Sequence, residues 1–323
     1  MMSLPDFRYK QIAVHVAGGS KERMRFLTDT VVIEDAEDKV LFRHSCHRLF
    51  ALFIIGECSL TSGIIRNAIK FAFPIILMNR NLKVVARINC AAEGNTLLRK
   101  QQYLLSEAQN NEIARALVSQ KITNQARLIE KLRYRSQDDN WAWQQLREIE
   151  IPKQSERQSL LGIEGCASKL FFEHYFRPLN WNRREPRCRR DIPNFLLDIG
   201  YTYLFNFIEA LLSLYGFDLY CGVYHTFFYQ RQSLVCDLVE PFRCIIDRRL
   251  RKAHNLCQID GKDFIQKKGV FELSWGAQSK YTKLFLKDLL EEKENLFTFV
   301  QSYYRWFVRN KPIEEFPQFQ IGE

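Results

Sequence analysis

Along residues 10–90 the hydrophobic positions recur with a period of two. Ile12, Val14 and Val16 alternate with Gln11, Ala13 and His15, the mark of a half-buried strand, and Gly18-Gly19 punctuates it. Residues 30–33 and 39–43 flank the acidic turn EDAED and predict a hairpin. The unbroken apolar runs 50–55 and 75–78 read as buried strands. Between them 61–73 predicts a short helix capped by Thr61 or Ser62. A turn at 79–81 leads into a further strand over 82–88. The sheets should form a small sandwich or curled sheet.

From about residue 95 the texture becomes helical. Residues 95–134 carry almost no Gly or Pro and are rich in good helix formers, with Ile113, Leu117 and Ile122 near helical spacing. The polar stretch 135–154 reads as a loop or short helix anchored by Trp141 and Trp143, and 155–176 as helix again. Residues 201–215 repeat Tyr201, Leu204, Phe205, Ile208, Leu211, Leu212 and Tyr215, a stripe that belongs to a core and stops at Gly216. Another helix follows Pro241, and 281–309 gives one or two more. The expected class is α+β: an N-terminal β-sandwich domain over 1–92, then a larger all-α C-terminal domain over 93–323.

Composition narrows the partner. The 323 residues are 46% hydrophobic, enough for a sizeable core. They carry 47 Lys+Arg against 37 Asp+Glu, a formal charge of +10. That excess suits an anionic partner, nucleic acid first and an anionic membrane surface second. Nine cysteines, including Cys90, form no C-x-x-C pair, which fits a reduced cytoplasmic compartment rather than a disulfide framework. Cys46, His47 and His44 make a poor zinc set because no second ligand pair follows at finger spacing. No signal peptide is apparent, and apolar runs such as 71–78 are too short to span a bilayer.

Three stretches bring polar groups into apolar surroundings. In SLVCDLVEPFR, 233–243, Asp237 and Glu240 must pair, bind a metal or take up a proton. Pro241 means that a helix starts here or that the acids lie just before one. The competing reading is a surface ion pair of Glu240 with Arg243. In SLLGIEGCASKLFF, 159–172, Glu164 lies between Gly162 and Gly165, which implies close approach by a backbone or ligand, or tight helix packing with Glu164 in solvent. In GFDLYCGVYHTFFY, 216–229, His225 is either a core histidine or a metal ligand. Glu164, His225 and Glu240 together suit Mg²⁺ or Mn²⁺, and the imidazole tilts the set toward Mn²⁺. Arg177, Arg183, Arg184, Arg187, Arg189 and Arg190 crowd one segment around Trp181. Arg248, Arg249, Arg251 and Lys252 form a second cluster. Either cluster is a solvated charged surface or a phosphate-binding one, with Trp181 able to stack on a base.

GIEG at 162–165, GFDLYCGVYH at 216–225 and DLVEPFR at 237–243 stand in the order and spacing of one family. The chain resembles the CRISPR-associated integrase of spacer acquisition, the first protein of the adaptation module, and is closest in wording to type V systems. FALFIIGECSLTSGII (50–65), ARLIEKLR (126–133) and NRREPRCRRDIPNFLLDIGY (182–201) carry the same resemblance. It implies a homodimer built through the β-sandwich domain. Glu164, His225 and Glu240 would hold Mg²⁺ or Mn²⁺, Asp237 would assist, and Arg243 and Arg248 would join the other arginines on DNA. The implied reaction is transesterification: the 3′-hydroxyl of a short foreign DNA duplex attacks a phosphodiester at the edge of a CRISPR repeat. The small second adaptation protein is the expected partner. The alternatives are a non-catalytic nucleic-acid-binding scaffold and a metal-dependent nuclease without integration.

Overall fold

The computed structural model describes residues 2–18, 21–89, 94–179, 181, 183–225 and 228–322. Gly19, Cys90 and the expected domain boundary at 92/93 lie outside them. The centre of the N-terminal region is β5 (Leu49–Ile55), whose seven residues are all buried. A run apolar on both faces belongs inside a layered sheet, and that is its place. It pairs in parallel with β1 (Gln11–Val16) and with β7 (Ile75–Met78), and β7 pairs antiparallel with β8 (Val84–Ile88). The sheet order is β1-β5-β7-β8. A second sheet runs β4 (Val40–Ser45), β3 (Thr30–Glu34), β2 (Arg23–Leu27), β6 (Ser59–Leu60). The expected hairpin is β3–β4, and α2 (Ser62–Lys70) follows Thr61.

The pleat sends successive β5 residues to different cores. Leu52 and Ile54 meet Met24, Val31 and Ile33 of the second sheet, together with Ile64 and Ala68 of α2. Ala51, Phe53 and Ile55 belong to the core of the helical region. For this reason β1 is not half-buried as its alternation suggests. Ile12, Val14 and Val16 pack on the helical core, while Ala13 and His15 are buried on the opposite face. His15 Nε2 meets Glu22 at 2.6 Å there. Phe7 of α1 (Leu4–Arg8) stacks on Phe297 at 4.4 Å and meets Phe50 edge-on at 5.1 Å, and Arg87 Nε reaches Glu209 at 2.8 Å. The two regions therefore share one hydrophobic interior.

The helical region begins with α3 (Thr96–Tyr103) and α4 (Glu107–Glu130), separated where Ser106 and Gln109 form a capping box. The polar stretch after it is α5 (Gln137–Glu148), started by a second box of Ser136 and Asp139. Then come α6 (Arg157–Tyr175) and α7 (Ile192–Tyr215). By length and composition α7 is apolar enough to cross a membrane, but 83% of its apolar window is buried inside the chain, as a core helix would be. Next are α8 (Ser233–Val239), α9 (Arg243–Asn255), a hairpin of β9 (Phe264–Lys267) and β10 (Val270–Leu273), α10 (Ala277–Glu291) and α11 (Lys293–Val308). The hairpin is an addition to the expected all-α region.

Gly200 lets α7 approach its neighbours. A methyl group there would collide with Ile246 of α9 and come within 2.9 Å of the Phe285 ring of α10. Gly200→Ala is expected to lose about 1–3 kcal/mol of stability in denaturant unfolding, the usual cost of overfilling a close-packed core.

Candidate active site

Pro241 ends α8 because it has no N–H to continue the helix. Residues Glu240–Phe242 form a 3-10 turn, and α9 starts directly after it. The two acids of this run consequently part. Asp237 faces the loop that follows α7, and Glu240 faces α4 and α6.

Asp237 has no exposed side-chain surface. It accepts the backbone N–H groups of Val223 at 2.6 Å, Tyr224 at 3.0 Å and His225 at 2.9 Å, and its Oδ1 lies 2.6 Å from His225 Nδ1. Gly222 permits this closure: an added methyl carbon would sit 2.7 Å from Asp237 Oδ2. The carboxylate fixes the imidazole with Nδ1–H as donor, which leaves the Nε2 lone pair available, without a partner among the described residues.

Glu240 is almost fully buried. Arg243 grips it through two nitrogens, each at 2.9 Å, and Lys121 Nζ lies at 2.6 Å. The same ammonium contacts Glu164 of α6, whose other oxygen accepts the Tyr224 hydroxyl at 2.7 Å. Glu164 and Glu240, far apart in sequence, thus share one cation. His225 follows Tyr224 and is tied to this cluster through it. Among the described residues no three His, Cys, Asp or Glu side chains already form a metal cage. The cluster sets three carboxyl side chains (Glu164, Asp237, Glu240) against two basic ones (Lys121, Arg243).

Burial alone would push the Glu240 carboxyl up, but Arg243 and then Lys121 outweigh it and hold Glu240 well below the ordinary carboxylate range. Burial likewise disfavours the Lys121 ammonium, and Glu240 and Glu164 more than offset that. Behind Arg243 lies a second tier. Its guanidinium sits 4.6 Å from the Tyr201 ring, and the Tyr201 hydroxyl donates to Asp247 at 2.5 Å. Burial pushes the Asp247 carboxyl up to about 7. Such a group stabilises the fold while neutral, so its contribution is lost as pH rises from about 4 to about 7. Asp247→Asn should therefore gain on the unsubstituted protein across that range, by on the order of 2–4 kcal/mol, in unfolding curves at pH 5 and pH 8.

Sequence reasoning did not find Lys121, Tyr224, Tyr201 or Asp247. The available signal for Lys121 was a polar interruption of the α4 stripe. Gln120, Lys121, Asn124 and Gln125 are all buried. Asn124 Nδ2 donates to the Pro241 carbonyl at 3.1 Å, tying the Glu240 turn to α4. Gly162 and Gly165 are exposed, and an added methyl at either meets nothing within 4 Å. Tight packing inside the chain is not their reason, and the face of α6 beside Glu164 is open.

The arginines divide. Arg184 is held by Asp198 at 2.5 Å, Arg183 by Glu185 at 2.6 Å, Arg248 by Glu292 at 3.1 Å and Arg177 by Asp138 at 3.8 Å, while Arg243 belongs to Glu240. Arg187, Arg189 and Arg190 have no carboxylate within ion-pair distance among the described residues. The backbone of Arg187 (φ 65°) and Arg189 (φ 49°) is left-handed, a strain that tends to accumulate at functional loops. Trp181 departs from expectation. It packs edge-on against Phe172 and Phe176, each at 5.2 Å, as a half-buried anchor rather than a free stacking platform.

Known proteins share this arrangement of elements. The family model for CRISPR associated protein Cas1 matches residues 18–287. A curated relative, CRISPR-associated endonuclease Cas1 1 of Thermodesulfovibrio yellowstonii, is 28% identical over 276 residues, covering 80% of this chain and 86% of its own. Among solved structures, a casposase bound to integration product superposes with a TM-score of 0.78 at 17% identity, over 97% of this chain and 95% of that one. A Cas6-RT-Cas1–Cas2 complex gives 0.81 at 20% identity, over 98% of this chain and 36% of that one. These structural likenesses show the same α+β fold. With the family model spanning most of its length, the chain belongs to the CRISPR associated protein Cas1 family.

Proposed function

We propose that this protein is a metal-dependent DNA integrase of CRISPR adaptation, joining the 3′-hydroxyl ends of short foreign duplexes to a CRISPR repeat by transesterification. The observation that carries the reading is the pair Glu164 and Glu240 closed around a single cation, beside an imidazole whose Nε2 is kept free. Oxygen donors with one imidazole suit Mg²⁺ or Mn²⁺, and Glu164, Glu240 and His225 would hold the ion. When bound, it supplies Lewis-acid polarisation of the attacked phosphodiester and activation of the hydroxyl. The chain's own residues do the positioning. Arg243 keeps Glu240 ionised and oriented, Tyr224 fixes the far oxygen of Glu164, and Asp237 orients His225. The open glycine face of α6 allows a DNA backbone close to Glu164. Of the described arginines in 177–190, Arg187, Arg189 and Arg190, without a carboxylate within ion-pair distance, are the ones proposed to contact phosphates, Arg189 from over the Phe195 ring at 5.9 Å. The partners that fit are DNA, a second copy of this chain and the small second adaptation protein, in line with the Cas1–Cas2 complex among the structural neighbours.

The test offers a short duplex with free 3′-hydroxyls to a supercoiled plasmid carrying the repeat, with Mn²⁺ or Mg²⁺. Joined products that vanish when the 3′ ends are blocked or a chelator is added support the reading, and joining that survives chelator overturns its metal dependence. A second reading, hydrolysis with water in place of the hydroxyl, is favoured by the endonuclease name of the curated relative. It gives nicks and fragments without joined strands. Arg187→Ala with Arg190→Ala should make the log–log salt dependence of DNA binding shallower by about 1–2, since each lost phosphate contact releases one counterion fewer. An unchanged slope removes this patch from the DNA path.

A further inference from the structure

Lys121 is the member of the cluster that the metal reading does not explain. Its side chain is 9% exposed, and its ammonium has the two carboxylates of Glu164 and Glu240 as its charged partners. Those acids come from different elements, α6 and the turn before α9. Each has its own second partner: Tyr224 donates to the other oxygen of Glu164, and Arg243 pairs with Glu240. The lysine is also firmly placed. Its neighbour Gln120 donates to the Pro317 carbonyl at 3.0 Å and accepts from Phe319 N–H at 2.8 Å. Asn124 holds the Pro241 carbonyl and accepts from Ile321 N–H at 2.9 Å. This side of α4 is thus clamped between the C-terminal segment and the Glu240 turn, with the ammonium set between the acids. A divalent ion that takes an oxygen from each acid needs the space the ammonium fills. Two positive charges cannot share it without strong repulsion.

Resting on the metal reading above, we propose that Lys121 is a resident counter-ion of the Glu164 and Glu240 pair, which holds the acids in register in the metal-free protein and yields its place when the divalent cation binds. Without it, two carboxylates drawn out of water face one another with no cation shared between them. With it, the metal must displace an ion pair already made. Lys121 therefore sets the metal affinity below what the bare acids would give and protects the empty site. It is a positioning residue of the metal-free state.

The experiment uses the full chain and measures Mn²⁺ binding by the loss of the free-ion paramagnetic resonance signal, with thermal unfolding in chelator and in saturating Mn²⁺. Lys121→Met should bind Mn²⁺ roughly tenfold tighter or more, as expected when a close charge competitor is removed. It should melt lower than the unsubstituted protein in chelator and recover most of that deficit in Mn²⁺. Lys121→Arg, whose planar fork can grip both acids, should bind Mn²⁺ more weakly than the unsubstituted protein. If the methionine variant fails to fold, Lys121→Gln takes its place, and the affinity order Gln, Lys, Arg carries the proposal. A purely structural lysine gives unchanged Mn²⁺ affinity and a melting deficit that Mn²⁺ does not repair. That outcome overturns the proposal while leaving the metal site standing, provided Glu240→Gln still abolishes Mn²⁺ binding. No Mn²⁺ binding by any of these proteins overturns both.

Discussion

Glu240→Gln is expected to lower the rate of strand joining by about 10³-fold, a loss in keeping with removal of one charged group at a phosphoryl-transfer centre. The amide keeps the shape of the side chain and one oxygen that can accept from Arg243. It loses the charge that would hold a divalent ion, and it leaves Lys121 and Arg243 facing an NH₂ group. The Lys121 side chain is 9% exposed and that of Arg243 29%, and among the described residues the only other carboxylate within ion-pair distance of either is Glu164, on the lysine side. Stability should therefore fall as well, by about 3 kcal/mol, the usual cost of breaking a buried ion pair from one side. Glu164→Gln makes the contrast. Its carboxylate is 18% exposed against 4% for Glu240, so the joining rate should fall as far while stability falls less. Joined product on a denaturing gel and unfolding curves on the same preparations separate the two effects. Equal stability losses would mean that the burial difference does not govern them.

Asp237→Ala should be the most destabilising single change in the site, at about 3–5 kcal/mol. Three backbone N–H groups and an imidazole lose their common acceptor in a place that excludes water. The loop 222–225 then has nothing to close on, and His225 loses its orientation. Joining should be abolished although every proposed metal ligand is still present. Asp237→Asn keeps one carbonyl oxygen and should lose less stability, yet its NH₂ opposes the converging N–H groups. Urea unfolding measures the loss, and amide exchange at Val223, Tyr224 and His225 should quicken ahead of the rest of the chain. A loss under about 1 kcal/mol for the alanine variant would show that the loop is held elsewhere.

The parts legible in the sequence are those that a local pattern determines. The run FALFII reads as a buried strand, and the Tyr201 to Tyr215 stripe as a core helix. The three polar interruptions at Glu164, His225 and the 237–240 pair were visible because each breaks an apolar context. What the sequence did not disclose depends on which elements approach one another. Periodicity assigns a lysine on a helix to solvent, so Lys121 passes unnoticed until α4 lies against α6 and the Glu240 turn. Stretch 135–154 looks like a loop because few of its side chains are apolar, and its helix owes its start to the Ser136 and Asp139 box. The division of the arginines is likewise tertiary. Arg184 and Arg187 are three residues apart, but only the Arg184 side chain pairs with Asp198, while Arg187 gives Asp198 its backbone N–H.

The proposed mechanism requires one divalent cation held by Glu164, Glu240 and His225. A crystal of the protein soaked in Mn²⁺, measured at a wavelength where manganese scatters anomalously, tests it most directly. A single strong anomalous peak is expected within coordination distance of a carboxylate oxygen from each glutamate and of His225 Nε2, with the Lys121 ammonium moved aside. A peak bound elsewhere on the chain, or an ammonium still seated between the two acids at saturating Mn²⁺, would contradict it.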